Sequence, residues 1–98
     1  MAKQAIWVML KAKAGKEAEV EAFLKQGATM TQNETQTVTW YGVKIAPGVY
    51  GVFDTFDDEE GRDAHLNGDI AKTLMAKAPE LFENQLQIEK LEILASKS

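Results

Sequence analysis

The strongest constraint on the fold is residues 4–12, a short segment near the start of the chain that is apolar on both sides. Successive side chains of an extended strand point to opposite faces. Ile6, Val8 and Leu10 therefore share one face, and Trp7 and Met9 share the other. A strand of this kind needs cover above and below, with helices on one side and something else on the other. It reads as a central strand. At 98 residues the chain is expected to form a single domain spanning 1–98. A domain this small buries only about two-thirds of its unfolded surface, so a partner subunit would help it.

The remaining elements follow from periodicity. Residues 16–30 place Val20, Phe23, Leu24 and Ala28 at helical spacing, with Glu17, Glu19, Glu21 and Lys25 on the opposite arc. Residues 31–37 are all polar and read as a loop. Strands are predicted over 38–45 and 49–56, joined by the Pro47-Gly48 turn, so that 38–56 forms a hairpin. Tyr50, Val52, Asp54 and Phe56 then share a face, and Trp40 and Tyr41 point to opposite faces. Asp57 or Asp58 can cap the next helix. Asn67-Gly68 is expected to break that helix, a second stretch runs over 69–78, and Pro79 opens a short separate turn over 80–84. Residues 87–94 close the chain as a fourth strand. The order β-α-β-β-α-β is the split-βαβ arrangement of the ferredoxin-like α+β fold, with a four-stranded antiparallel sheet. Helices then cover one face only. Trp7, Met9, Phe53 and Leu91 on the other would be a larger apolar patch than monomers usually tolerate. A homodimer packed sheet against sheet is therefore expected.

Composition removes several function classes. The formal net charge of −4 argues against a nucleic-acid partner, which requires clustered positive charge. The longest apolar run, residues 5–10, is far below the roughly 20 residues of a membrane span and is followed by no small-residue cleavage site. Cysteine is absent, so thiol nucleophiles and thiolate metal sites are excluded, and a reducing, cytoplasmic compartment is compatible. The lone histidine, His65, has no HxxxH or HExxH context, and metal binding is not expected.

Chemistry therefore centres on a few residues. His65 lies beside Leu66 on the helix after the hairpin, and is either a hydrogen-bonded structural histidine or a general base at the mouth of a pocket. Asp54 is a carboxylate within an apolar strand and needs a partner. The plainer expectation is an Asp54–Arg62 pair holding helix to hairpin; the sharper one is a catalytic Asp54–His65 pair. Trp40, Tyr41, Tyr50 and Phe56 concentrate aromatic surface on the hairpin. They are either core or the wall of a cavity for a flat hydrophobic ligand. The run Asp57-Asp58-Glu59-Glu60 reads as a solvated helix start.

The stretch Phe53-Asp54-Thr55-Phe56, followed by Gly61-Arg62-Asp63-Ala64-His65-Leu66, resembles the antibiotic-biosynthesis monooxygenase family of dimeric α+β barrel proteins. The shared pattern is a strand ending in an aromatic residue and a following helix that carries Ala-His. Ile88-Glu89-Lys90 through Leu94-Ala95-Ser96-Lys97 is similar to a small-protein branch of that family. The resemblance implies a homodimer with one pocket per subunit between sheet and helices. It also implies oxidation of a quinol or anthrone-type polyphenol by O2 with no flavin, haem or metal cofactor. The substrate carbanion then reduces oxygen, and the protein supplies deprotonation, orientation and a dry cavity. Two positions depart from the pattern. Phe56 stands where several active members carry tryptophan, and near Val8 those members carry a first-strand asparagine that this chain lacks, which disfavours the haem-degrading branch.

The expected function is accordingly that of an oxidoreductase, a cofactor-independent monooxygenase acting on a small aromatic quinol. His65 is the base or orienting group and Asp54 its partner. Trp40, Tyr41, Tyr50, Phe56, Arg62 and Val8 are the expected lining. A non-catalytic ligand-binding or stress-response dimer, or a small-molecule isomerase using His65 without oxygen, are the alternatives.

Overall fold

The computed structural model describes residues 2–97. The apolar segment near the start forms β1 (Gln4–Lys11), followed by α1 (Glu17–Thr31), β2 (Thr37–Ala46), β3 (Val49–Phe56), α2 (Glu59–Leu66), α3 (Asp69–Leu81) and β4 (Glu89–Glu92). The strands make one antiparallel sheet in the order β2-β3-β1-β4, a ferredoxin-like α+β fold. β1 is an inner strand, as its two apolar faces require.

Register decides which residues share a face, because directly paired side chains point the same way. Val8 pairs with Val52, Ile6 with Asp54, and Asp54 in turn with Trp40. This is the face covered by the helices. Val8, Leu10, Tyr50 and Val52 join Val20, Phe23, Leu24, Leu74, Leu81 and Phe82 in one buried cluster, against which Trp40 packs. On the other face Trp7 pairs with Phe53 and Phe53 with Tyr41, while Met9 pairs with Gly51 and Gly51 with Val43. Among the described residues no helix lies over this side, and Met9 and Tyr41 remain 39% and 54% exposed. The Trp7 ring lies across Gly51 so closely that a Cβ there would overlap it.

Local chemistry explains the boundaries. Gly48 takes a positive φ of 77° after Pro47, the pairing of a type II turn, and so sets the hairpin. Of the two capping candidates it is Asp58 that caps α2, its side chain accepting from the Gly61 N–H at 2.8 Å. Gly68, the N-cap of α3, separates the two helices.

Two expectations are corrected. Helix α3 does not stop at residue 78; it runs through Pro79 to Leu81. Buried Leu81 holds the last turn in the core, and Lys13 closes its end. The Lys13 Nζ donates to the Pro79 carbonyl at 2.6 Å and its backbone N–H to the Leu81 carbonyl at 2.8 Å. The fourth strand is also shorter than 87–94. β4 pairs with β1 only from Gln4 to Trp7, because the Asn84 side chain occupies the adjoining edge. Its Oδ1 accepts from the Lys11 N–H at 2.9 Å and its Nδ2 donates to the Met9 carbonyl at 3.0 Å. Among the described residues no helix is long and apolar enough to cross a membrane.

Candidate active site

Strand alternation places Asp54 on the helix-covered face of β3, an inner strand, where it is 1% exposed. Helix α2, started by the Asp58 cap, carries His65 over that strand end. The ring stacks in a tilted arrangement on Phe56, with centroids 5.3 Å apart, and its Nε2 stands 2.8 Å from Asp54 Oδ2. Apart from this contact the Asp54 carboxylate has no hydrogen-bond partner among the described residues.

The other ring nitrogen, Nδ1, lies 2.5 Å from Glu34 Oε1. Glu34 belongs to the loop between α1 and β2, and it is itself held by Thr37, whose hydroxyl donates to Oε1 at 2.7 Å. His65 thus sits between two carboxylates, and its doubly protonated form can donate to both. Burial is the largest single influence on its pKa and pulls it down. The Asp54 and Glu34 carboxylates together outweigh that effect, so the net shift is upward from the usual histidine value. The ring is therefore poised to hold positive charge beside Asp54.

Asp54 and His65 line a small cavity between sheet and helices, together with Ile6, Val8, Trp40 and Val52 from the sheet. Its volume of about 30 Å³ is room for roughly one water molecule. Half-exposed Leu66 and Ile88 border it and are the side chains that a larger occupant would displace. On the far side of His65, a separate surface cleft of about 410 Å³ is bordered by Glu34, Thr37, Gly61 and Asp69. His65 lines both spaces.

The structure brings His65, Asp54, Trp40 and Val8 together, and sends the other expected lining residues elsewhere. Tyr41 pairs with Phe53 and therefore points to the open face. Tyr50 is on the covered face, but its hydroxyl donates to Glu21 Oε2 at 2.6 Å, which ties β3 to α1 and pushes the phenol pKa up to about 12. Phe56 supports the His65 ring and does not border the cavity. Arg62 does not pair with Asp54. Its Nη1 donates to Gln4 Oε1 at 2.8 Å and to the Leu91 carbonyl at 3.3 Å, which pins α2 to β1 and β4. Glu34 was not among the expected residues. Its one signal is that it is the sole charge between Lys25 and Lys44, in a loop that is otherwise neutral and polar. Among the described residues no group of three or more His, Cys, Asp or Glu is arranged to hold a metal ion.

A single four-stranded antiparallel sheet with its helices on one face is a fold shared with proteins described as candidate antibiotic biosynthesis monooxygenases. A protein from Caulobacter crescentus described as a candidate antibiotic biosynthesis monooxygenase superposes with a TM-score of 0.81 at 21% identity, over 96% of this chain and 92% of that one. A protein from Deinococcus radiodurans with the same description gives 0.79 at 17% identity, over 97% and 96%. At these identities the likeness is one of fold. The NE2512 protein of Nitrosomonas europaea, of unknown function, is much nearer: 46% identical over 100% of this chain and 95% of that one, with a TM-score of 0.95. The chain belongs to the same family as that Nitrosomonas protein. No protein-family model matches the chain, and no curated protein does.

Proposed function

We propose that this protein is a cofactor-independent monooxygenase that oxidises a small quinol or polyphenol-type aromatic with O2. The observation that carries the reading is the Asp54–His65 pair, 2.8 Å apart and bordering an otherwise apolar cavity. The fold shared with proteins described as candidate monooxygenases supports it.

Both ring nitrogens of His65 already face carboxylates, so the group that receives the substrate proton is the Asp54 carboxylate. Protonated His65 stands behind it as counter-charge. Glu34 is a positioning residue that fixes the ring through Nδ1. Loss of the phenolic proton makes the ring electron-rich, and a hydrogen-bearing carbon next to the one that bears the oxygen gives an electron pair to O2, forming a C–O–O bond. The proton of that ring carbon passes to the outer oxygen as the O–O bond breaks, which produces a carbonyl and hydroxide. Hydroxide takes up the proton held at Asp54 and departs as water, so the substrate is oxidised by four electrons and both oxygen atoms are accounted for. The apolar walls keep bulk water from this sequence.

The functional unit in this reading is a single domain over 1–98 that pairs as a cytoplasmic homodimer. The open face with Trp7, Met9, Tyr41, Val43 and Leu91 supports sheet-to-sheet pairing. The test is oxygen uptake by metal-free protein across a panel of quinols, with one ring oxygen gained per O2 consumed. Turnover that persists without oxygen would replace the reading with an isomerase. Micromolar binding without any turnover would replace it with a ligand-holding dimer.

A further inference from the structure

Three buried side chains hold polar atoms without a hydrogen-bond partner among the described residues: Arg62, whose Nε lies outside the cavity, and two on the covered face of the sheet, Trp40 and Asp54. Trp40 Nε1 is fully buried and donates to nothing among the described residues, and the Asp54 carboxylate has only the single approach of His65. Unpartnered buried groups of this kind are uncommon, since each costs about the desolvation of a lost hydrogen bond. The two residues are direct partners across β2 and β3, on the same face, so their Cβ atoms are about 5 Å apart. Both border the same cavity, whose remaining walls are almost wholly apolar: Ile6, Val8, Phe23, Val52 and Leu74.

One of these orphans is a donor and the other an acceptor. A carbonyl ligand would satisfy only Trp40, and an ammonium only Asp54. A hydroxyl satisfies both, because its oxygen accepts while its hydrogen is donated. We propose that Trp40 Nε1 and the Asp54 carboxylate form a two-point seat for a single hydroxyl group, so that the cavity selects a phenol- or enol-type molecule over the same ring without oxygen. The Trp40 ring is fixed for that task. It packs against Gly27 and Gly42, where a Cβ would stand 3.0 Å and 3.4 Å from ring carbons, so glycine at both positions gives the indole its place. Trp40 is therefore a specificity-determining residue, and not only part of the cavity wall. The inference rests on the cavity of the proposed function, and it names the feature that a substrate must present there.

The experiment compares phenol with benzene, which differ by that one group, by following the two indole N–H resonances of 15N-labelled protein during titration. Trp40→Phe keeps the ring and removes the N–H, and it assigns the Trp40 signal by its loss. If that variant does not fold, Trp7→Phe assigns the signal by elimination. In the native protein, phenol is expected to bind more tightly than benzene and to move the Trp40 N–H downfield, whereas benzene does not. In Trp40→Phe the preference for phenol should shrink about fivefold, the value of one neutral hydrogen bond. An unmoved Trp40 resonance, an unchanged preference, or no binding of either molecule overturns the proposal. If the preference behaves as expected while no quinol supports oxygen uptake, the seat stands and the monooxygenase reading falls.

Discussion

The two faces of the sheet are made from alternate residues of the same strands, yet they have opposite chemistry. The covered face buries its aliphatic side chains under helices and admits one buried carboxylate, Asp54, on an inner strand. The open face carries larger apolar groups, Trp7, Met9, Phe53 and Tyr41, and within the strands its charges lie at the margins, on Lys11 and Glu89. A buried charge among aliphatics is costly and persists only where it has a counter-charge or a task. An apolar surface without cover is costly in a different way, and in the proposed homodimer a second copy would remove that cost. In the proposed function the covered face serves chemistry and the open face association.

The sharpest way to break this division is to remove the counter-charge. His65→Ala should lower quinol-dependent oxygen uptake by about 10²- to 10⁴-fold. It should also destabilise the fold by about 3–5 kcal/mol, because Asp54 is left buried and unpaired. A variant with native uptake, measured in an oxygen electrode, would end the catalytic assignment of the covered face. Next comes packing. Leu10→Ala, on the covered face, should cost about 2–5 kcal/mol in urea unfolding, and Met9→Ala, its neighbour on the open face, less than about 1 kcal/mol in dilute monomer. Equal costs at the two positions would show that the faces are not distinct in the isolated chain.

Association is probed by Met9→Lys, which places a charge at the middle of the open face twice over in a symmetric dimer. Sedimentation should show the dimer weakened about a hundredfold, with secondary structure unchanged. A native protein that sediments near 10.8 kDa, not twice that mass, would remove the pairing altogether. The smallest expected effect is a pH dependence. The folded pKa of His65 lies above its unfolded value because Asp54 and Glu34 outweigh burial, so the native state binds the proton more tightly. That stabilisation is complete below about pH 6.5, the ordinary histidine value, and is lost as pH rises through the folded value. Glu34→Gln should flatten this slope, and a slope as steep as the native one in thermal melts would show that Glu34 does not hold the ring.

Much of the covered face was legible in the chain. Alternation alone separates Ile6, Val8 and Leu10 from Trp7 and Met9, and it aligns Asp54 with Tyr50, Val52 and Phe56. What alternation cannot supply is the depth of a side chain along its strand. Tyr50 and Asp54 share a face, but they stand far enough apart that one phenol reaches Glu21 on α1 while the carboxylate meets His65 on α2. Partner choice among long side chains was equally out of reach. Arg62 and His65 are both close to Asp54 in sequence, and helix phase directs the arginine to Gln4 and the histidine to the carboxylate. Glu34 lies in a loop without periodicity, so nothing local marks it except its isolation as a charge. The Pro79 and Asn84 corrections have the same origin, since the contacts that close α3 and cut short β4 come from Lys13, Lys11 and Met9 at the other end of the chain.

Trp40 and Tyr41 are consecutive residues that serve opposite faces, the first behind the cavity and the second on the uncovered side. The β2 segment therefore behaves like a reading frame. Between Tyr41 and the turn its one slack position is Ile45, an extra residue bulged between the Lys44–Tyr50 and Ala46–Val49 pairs, whose deletion would keep the register; a residue inserted between 41 and 44 would shift every position upstream by one and exchange the two aromatics. Side chains along the hairpin can thus be exchanged more freely than residues can be added to it.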